Sequence, residues 1–292
     1  MIPAARLDSS FFSDHKIPSA YLLSIDLEDI RTQSPFGTKF PSRVAMLVDR
    51  FLGFFEKHEI QVTFFTVGHT ARKNPDTIRR IVAAGHEVAC HTYDHKPLDK
   101  SSAEKLKENL KRNKDVLIDL GADQVTGFRA PDFSLIQDTQ WGWDVLAELG
   151  FRYSSSVLPA RNPLYGWRGY SRIPVYLPQG IWSFPISVTP TPGMQIPFAG
   201  GVYLRLMPKA AILYFSRWYS RRSYPLVGYL HPYDIDRKQE RFRIEQNYFY
   251  DKLIYYNRKS VFIKAEALLK RFPGMTFSKY IEKIEAAMRR DN

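Results

Sequence analysis

The sequence predicts an α/β fold built from parallel βα units, in the pattern of a β/α barrel. Between residue 21 and about residue 155, short apolar segments alternate with segments whose apolar residues recur at helical spacing. Parallel strands need a crossover between them, usually a helix, so this alternation favours a parallel sheet. Polar residues with catalytic capacity follow several of the apolar segments directly. A β/α barrel carries its active site at that end of its strands.

The short apolar segments are predicted as strands, because they are rich in β-branched and aromatic residues. They cover residues 21–25, 62–67, 87–90, 125–128, 151–155 and 225–230. Helices are predicted between them at 42–58, 74–84 and 101–120, with another around Trp143, Leu146 and Leu149. Asn74-Pro75 fits an N-cap and a first helical residue, and Gly85 fits a C-cap.

The remainder of the chain has a different composition. Residues 158–208 are rich in proline and glycine and are interpreted as an insertion of loops and hairpins, with strand-like pieces at 181–187 and 202–206. Residues 209–220 are predicted as a helix packed on the barrel, although its arginines leave a membrane-surface role open. The tail from about residue 257 is predicted as two basic helices. We expect one domain over 1–292, with a core at about 20–236 and a C-terminal helical extension at about 237–292.

Composition restricts the partners. The net charge of +12 favours an anionic partner such as a phosphate-bearing lipid or a bilayer surface, with a solvated basic surface as the alternative. The chain has no pattern typical of nucleic-acid binding. Its single cysteine, Cys90, excludes an internal disulfide. With no recognisable secretory leader, we expect a cytoplasmic protein, and peripheral contact with the inner membrane face is one option.

Two histidines, His91 and His95, follow the third predicted strand. Residues four apart lie on one face of a helical turn, so both imidazoles can point at a common metal ion. By itself this pair is more typical of surface histidines in a loop. The other polar residues at strand ends favour the metal-binding interpretation.

Three acids, Asp26, Glu28 and Asp29, follow the first predicted strand. Such a cluster is costly beside an apolar strand unless a cation lies among the carboxylates. On extended backbone Asp26 and Glu28 share a face, whereas Asp29 begins the loop and can turn either way. A cluster of acids at a helix N-terminus is the alternative interpretation.

Arg129 and His231 follow two further predicted strands. Two imidazoles and one carboxylate suit zinc or a similar divalent ion with open positions. A second carboxylate can take a proton from water, a separate histidine can protonate a leaving amine, and Arg129 can pair with the base. The set predicts metal-assisted hydrolysis of an amide.

These residues lie in motifs that resemble those of the polysaccharide deacetylases of the NodB-homology type, carbohydrate esterase family 4. The motifs are Ser24-Ile25-Asp26-Leu27-Glu28-Asp29, Thr63-Phe64-Phe65, His91-Thr92-Tyr93-Asp94-His95, Phe128-Arg129-Ala130-Pro131 and Tyr229-Leu230-His231-Pro232. Phe184-Pro185-Ile186-Ser187 and residues 200–208 are similar to a branch found with bacterial exopolysaccharide and surface-glycan clusters.

The resemblance implies a distorted (β/α) barrel that removes an N-acetyl or similar N-acyl group from an amino sugar. It implies Asp26 as general base, His231 as general acid and Arg129 as the residue that orients Asp26. The expected substrate is a surface polysaccharide or a lipid-linked glycan precursor. A cyclic amide or ureide hydrolase of the allantoinase kind is one alternative, and a non-catalytic glycan-binding protein is another.

The resemblance also implies metal ligands and substrate contacts. His91 and His95 would bind a divalent ion, zinc above cobalt, nickel or manganese, with Glu28 or Asp29 as third ligand. Strand geometry favours Glu28. Ser154 departs from the pattern, because related chains have an acid there. The implied substrate contacts are Pro131, Tyr153, Gly201 and Tyr203.

Overall fold

The structure, a computed structural model, describes residues 10–162, 165–243 and 248–290. Its strands are β1 (Tyr21–Leu27), β2 (Thr63–Thr66), β3 (Glu87–Cys90), β4 (Gly127–Phe128), β5 (Tyr153–Ser154), β6 (Val175–Tyr176), β7 (Trp182–Ser183) and β8 (Leu226–Leu230). They form one sheet in the order β6-β7-β5-β4-β3-β2-β1-β8. Neighbouring strands pair parallel, apart from the antiparallel pair β6 and β7.

The α-helices of the described ranges follow in chain order. They are α1 (Phe11–Asp14), α2 (Val44–Lys57), α3 (Gly68–Lys73), α4 (Pro75–Ala83), α5 (Ala103–Asp119), α6 (Gly142–Glu148), α7 (Gly201–Leu206), α8 (Lys209–Ser220), α9 (Tyr248–Tyr255), α10 (Val261–Leu269) and α11 (Phe277–Met288). Strands and helices therefore alternate from β1 to β5, which confirms the predicted α/β class.

The ring of strands is completed by irregular backbone. Beyond β7, the Ser187 N–H donates to the Val227 carbonyl at 3.1 Å, and the Val227 N–H donates to Ser187 Oγ at 2.9 Å. These contacts join the β7 side of the sheet to β8 without a regular ladder. The fold is thus the distorted β/α barrel that the family resemblance implies.

Strand β1 lies between β2 and β8, and each of its residues is buried. Ser24, for example, pairs with Thr63 on one side and Tyr229 on the other. A parallel strand covered on both faces has little freedom to shift its register. The residues that follow β1 are therefore held at a fixed place on the rim of the barrel.

The strand-like segment predicted at 202–206 is wrong, because these residues form α7. Its buried residues Gly201, Leu204 and Arg205 recur at helical spacing, and Gly201 begins the helix at φ +53. The Lys264 ammonium donates to the carbonyls of Leu204, Arg205 and Met207 at 2.8–2.9 Å. Tertiary contacts at the helix end thus outweigh local β propensity.

The later helices mostly agree with the sequence. Helix α8 packs against the body of the protein through Ile212, Ser216 and Tyr219, as expected for 209–220. The basic tail forms α10 and α11, separated by Pro273-Gly274, whereas α9 was not predicted. The division into a core at 20–236 and an extension stays a prediction. Among the described helices, none has both the length and the apolar character needed to cross a bilayer.

Candidate active site

A cavity of about 150 Å³ lies at the carboxyl ends of β1, β3, β4 and β8. Its walls include two acids from the end of β1, two histidines that follow β3, and the histidine that follows β8. These five residues are Asp26, Glu28, His91, His95 and His231. The chemistry-bearing residues of three motifs therefore meet in one place.

Glu28, His91 and His95 form a compact group at the cavity wall. One potential ligand atom from each side chain lies within 4.8 Å of the others. The His91 ring places Nδ1 2.8 Å from the Arg129 carbonyl, a contact that assigns the proton to Nδ1 and leaves Nε2 with a lone pair. One carboxylate and two imidazoles are a donor set that suits zinc. The group fits a divalent ion.

The loop that carries the two histidines is not a helical turn, and that expectation is wrong. Thr92 and His95 have positive φ angles of 59° and 58°. The His95 N–H donates to Thr92 Oγ1 at 3.0 Å, which stabilises the bend. The ring centroids of His91 and His95 are 5.0 Å apart. The histidines thus converge through an irregular loop rather than through helical spacing.

Charges within this group shift the pKa values of its members. Burial alone would raise the pKa of Glu28, but the neighbouring histidines, above all His95, lower it well below its usual range. Burial lowers the pKa of His91 to about 4. Glu28 Oε2 lies 2.7 Å from His95 Nε2. Burial lowers the pKa of His95, but Glu28 outweighs this effect and raises it to about 9. His91 thus already has the neutral form that metal coordination requires, whereas a metal ion would have to displace a proton from His95.

The structure does not bring Asp29 to this group. Its carboxylate accepts from the Arg31 N–H at 3.1 Å and caps the short 3₁₀ turn Ile30–Gln33. The Arg31 guanidinium lies 3.8 Å from the same oxygen. Of the two candidate third ligands, Glu28 is the one placed beside the histidines. Of the three acids, only Asp29 fits the alternative interpretation, an acid at the N-terminus of a helical turn.

Asp26 is held by Arg129, which is completely buried. Arg129 Nη1 donates to Asp26 Oδ1 at 2.5 Å and to Ser24 Oγ at 2.7 Å. Its other nitrogens donate to the carbonyl and hydroxyl of Ser155, both at 2.8 Å. The guanidinium therefore ties the end of β1 to the end of β5. Asp26 Oδ2 is left facing the cavity, 4.0 Å from His231 Nε2.

His231 is oriented by two residues that sequence reasoning missed, Asp234 and Arg205. Its Nδ1 lies 3.0 Å from Asp234 Oδ2, and Arg205 Nε lies 2.8 Å from Asp234 Oδ1. Burial opposes ionisation of Asp234, but Arg205 holds its pKa at about 2. Asp234 in turn raises the pKa of His231 against the effect of burial. The spacing His231-Pro232-Tyr233-Asp234 hints at the first contact, but no local pattern marks Arg205.

Of the four substrate contacts that the resemblance implies, only Tyr203 lines the cavity. Tyr203 lines the cavity, and its hydroxyl accepts from Asn162 Nδ2 at 3.0 Å. Pro131 and Gly201 sit beside lining residues without being part of the wall. Tyr153 is buried in the core, where its hydroxyl donates to Glu87 Oε1 at 2.7 Å. Glu87 begins β3, so this hydroxyl points to the end of the barrel away from the cavity.

Ser154, which replaces the expected acid, is completely buried. Its hydroxyl lies 2.6 Å from Ser156 Oγ, and Ser156 Oγ accepts from the Ala130 N–H at 2.8 Å. The serine hydroxyls thus support the backbone that follows Arg129. The replacement leaves the contacts of Asp26 and His91 in place.

Comparison with known families divides the chain in two. The family model described as polysaccharide deacetylase matches residues 40–154. A second family model, described as a domain of unknown function (DUF3473), matches residues 155–282. Asp26 and Glu28 precede the first matched range, and His231, Asp234 and Arg205 fall within the second.

The chain is also similar in sequence to two curated deacetylases and in fold to a solved structure. A peptidoglycan deacetylase of Helicobacter pylori is 28% identical over 194 residues, which cover 64% of this chain and 61% of that protein. A peptidoglycan-N-acetylglucosamine deacetylase of Bacillus cereus is 25% identical, over 44% of this chain and 53% of that protein. The chain thus spans little more than half the length of these relatives. A crystal structure of a putative polysaccharide deacetylase from Mycobacterium smegmatis has the same fold, with a TM-score of 0.58, 20% identity and 92% of each chain covered.

Proposed function

We propose that the protein is a metal-dependent N-deacetylase, because residues 40–154 match the polysaccharide deacetylase family model and the candidate site carries a metal-binding group. The reaction is removal of an N-acetyl or similar N-acyl group from an amino sugar of a surface polysaccharide or a lipid-linked glycan precursor. One observation carries the proposal. The group Glu28, His91 and His95 shares its cavity with a second carboxylate, Asp26, and with a third imidazole, His231.

Glu28, His91 and His95 are the residues that would hold the ion, and zinc suits them best, with cobalt, nickel and manganese as alternatives. When bound, the ion supplies Lewis acidity to the carbonyl and to water. His91 is prepared for this role, because its Nδ1 contact with the Arg129 carbonyl leaves Nε2 as the donor atom.

Asp26 is proposed as the general base. Arg129 holds Oδ1, so the free Oδ2 has one preferred direction, into the cavity. A carboxylate fixed in this way can take a proton from a water molecule without a large reorganisation of the side chain. Arg129 acts by positioning the base.

His231 is proposed as the general acid. The Asp234 contact assigns a proton to Nδ1, and the raised pKa of His231 favours a second proton on Nε2. Nε2 faces the cavity and is 4.0 Å from Asp26 Oδ2, so acid and base flank the same space. The proton on Nε2 can pass to the leaving amine as the amide bond breaks.

The variant Asp26→Asn tests the proposal. It keeps the volume and a contact with Arg129 but cannot accept the proton, so acetate release from N-acetylglucosamine oligomers should fall by about 10²-fold or more. Its metal content should equal that of wild type. Asp138→Asn, an exposed substitution, is the control. Equal acetate release by Asp26→Asn and wild type would exclude Asp26 as the base.

The localisation and the membrane contact are further parts of the proposal. We propose that the protein is cytoplasmic and contacts the anionic inner membrane face. The net charge of +12 supports the membrane contact. The protein should sediment with phosphatidylglycerol vesicles at low salt and be released at high salt, since surface charge is screened by ions. Failure to sediment at low salt would contradict the membrane contact.

A further inference from the structure

A second cavity, of about 270 Å³, lies on the other side of the 3₁₀ turn Pro232–Ile235. Tyr233, within this turn, lines the catalytic cavity, and Asp236, immediately after it, lines the second one. Four of the residues around the second cavity have cationic side chains. They are Arg237, Arg241, Arg258 and Lys259.

The single acid in this wall does not offset the four cations. Asp236 is 1% exposed and accepts from Arg43 Nε at 2.8 Å and Arg43 Nη2 at 3.0 Å. Arg31 Nη2 lies 3.6 Å from the same carboxylate. Two arginines outside the cavity wall thus already neutralise Asp236, and the cavity keeps an excess of positive charge.

Arg258 supplies the second observation. The side chain is 6% exposed, and it donates from Nε to the Ile254 carbonyl at 3.0 Å and from Nη1 to the Asp236 carbonyl at 2.7 Å. Its Nη2 is buried and has no hydrogen-bond partner in the described part of the chain. Burial lowers the pKa of Arg258 to about 10, which reflects the cost of this charge. A buried guanidinium nitrogen that has no acceptor among the described residues suits an anionic ligand.

An acceptor is also left over in the same wall. The side-chain oxygen of Gln239 is buried and, among the described residues, accepts no hydrogen bond. An anion that also carries a hydroxyl would satisfy both Arg258 and Gln239. Hydrogen phosphate and phosphate esters have this combination, and arginine forks match phosphate oxygens well.

We propose that this cavity is a phosphate-binding site, distinct from the catalytic cavity and formed by Arg237, Arg241, Arg258 and Lys259. The bound phosphate is either inorganic phosphate or the phosphate group of a sugar phosphate. The site does not depend on the deacetylation proposed above, because it is defined by residues outside that cavity.

Isothermal titration calorimetry at constant ionic strength tests the site. Inorganic phosphate, N-acetylglucosamine 1-phosphate and neutral N-acetylglucosamine are titrated into wild type and into Arg237→Ala/Lys259→Ala. Both substituted residues are exposed, so the fold should persist. The matched control, Lys111→Ala/Arg290→Ala, removes two exposed positive charges elsewhere.

The expected result is that wild type and the control bind phosphate equally, and that the Arg237→Ala/Lys259→Ala variant binds it about tenfold or more weakly. Tighter binding of N-acetylglucosamine 1-phosphate than of inorganic phosphate would assign the site to a sugar phosphate, and equal binding would assign it to the free anion. No phosphate binding by wild type, or equal weakening in both double variants, would overturn the proposal. Because binding is the readout, loss of deacetylation and loss of this site can be told apart.

Discussion

Asp26 and His231 face the same cavity, but the contacts that hold them differ in range. Asp26 is the penultimate residue of β1 and is fixed by Arg129, which directly follows β4. Arg129 also contacts Ser24, within β1, and Ser155, which directly follows β5. This side of the site is therefore assembled directly by the parallel sheet.

His231 also ends a strand, but its orientation depends on residues outside the sheet. Asp234 is completely buried and pairs with Arg205 of α7. Arg205 Nη1 in turn donates to the carbonyls of Leu253, Ile254 and Tyr256 at 2.7–2.9 Å. His231, the proposed general acid, is thus held through a chain of buried charges that runs into the C-terminal helices.

The site therefore has a sheet side, with Asp26 and Arg129, and a helical side, with His231, Asp234 and Arg205. Substitutions on the two sides should affect activity and stability differently. Substitution of Glu28 on the sheet side removes a proposed metal ligand and leaves the buried Asp26–Arg129 pair in place. Substitution at the helical side leaves a buried charge without its partner, which costs stability as well as activity. The two predictions below separate these outcomes.

The largest effect is expected from Glu28→Gln, compared with Asp29→Asn. An amide is a poor replacement for a carboxylate ligand, so Glu28→Gln should weaken metal binding by more than about 100-fold and abolish deacetylation. Asp29→Asn should change neither, because asparagine also caps a helical turn. Zinc titration of the two metal-free variants measures the affinities. The reverse result would make Asp29 the ligand.

A smaller effect on activity is expected from Asp234→Asn. The imidazole of His231 loses the anion that fixes its Nδ1 proton, so kcat should fall by about 10²-fold while metal content is unchanged. Arg205 loses its carboxylate, and the free energy of unfolding should drop by about 3–5 kcal/mol. Chemical denaturation and initial rates provide the two readouts. A variant as stable and active as wild type would show that the Asp234 contact holds nothing in place.

Much of the sheet side could be predicted from the sequence. Asp26, Glu28, His91 and Arg129 directly follow apolar strands, and parallel strands bring such residues to one rim. The choice between Glu28 and Asp29 also followed from the two-residue period of a strand. These inferences need only local patterns and the rule for parallel sheets.

The helical side could not be predicted in the same way. Arg205 lies in a segment of aromatic and β-branched residues that local propensity assigned to a strand. Arg205 is buried within a helix because it contacts Asp234 and the Leu253 carbonyl. Both partners are distant in sequence, so a local pattern does not reveal them. The bend at Thr92 and His95 was missed for a related reason, because positive φ angles in non-glycine residues have no clear sequence signal.

The central claim is that Glu28, His91 and His95 form a metal site, and elemental analysis tests it most directly. Wild type and the double variant His91→Ala/His95→Ala are purified and incubated with zinc or cobalt, and the unbound metal is removed before measurement. The account predicts about one divalent ion per chain in wild type and none in the variant. Wild type without metal after this treatment, or equal metal in both proteins, would contradict it.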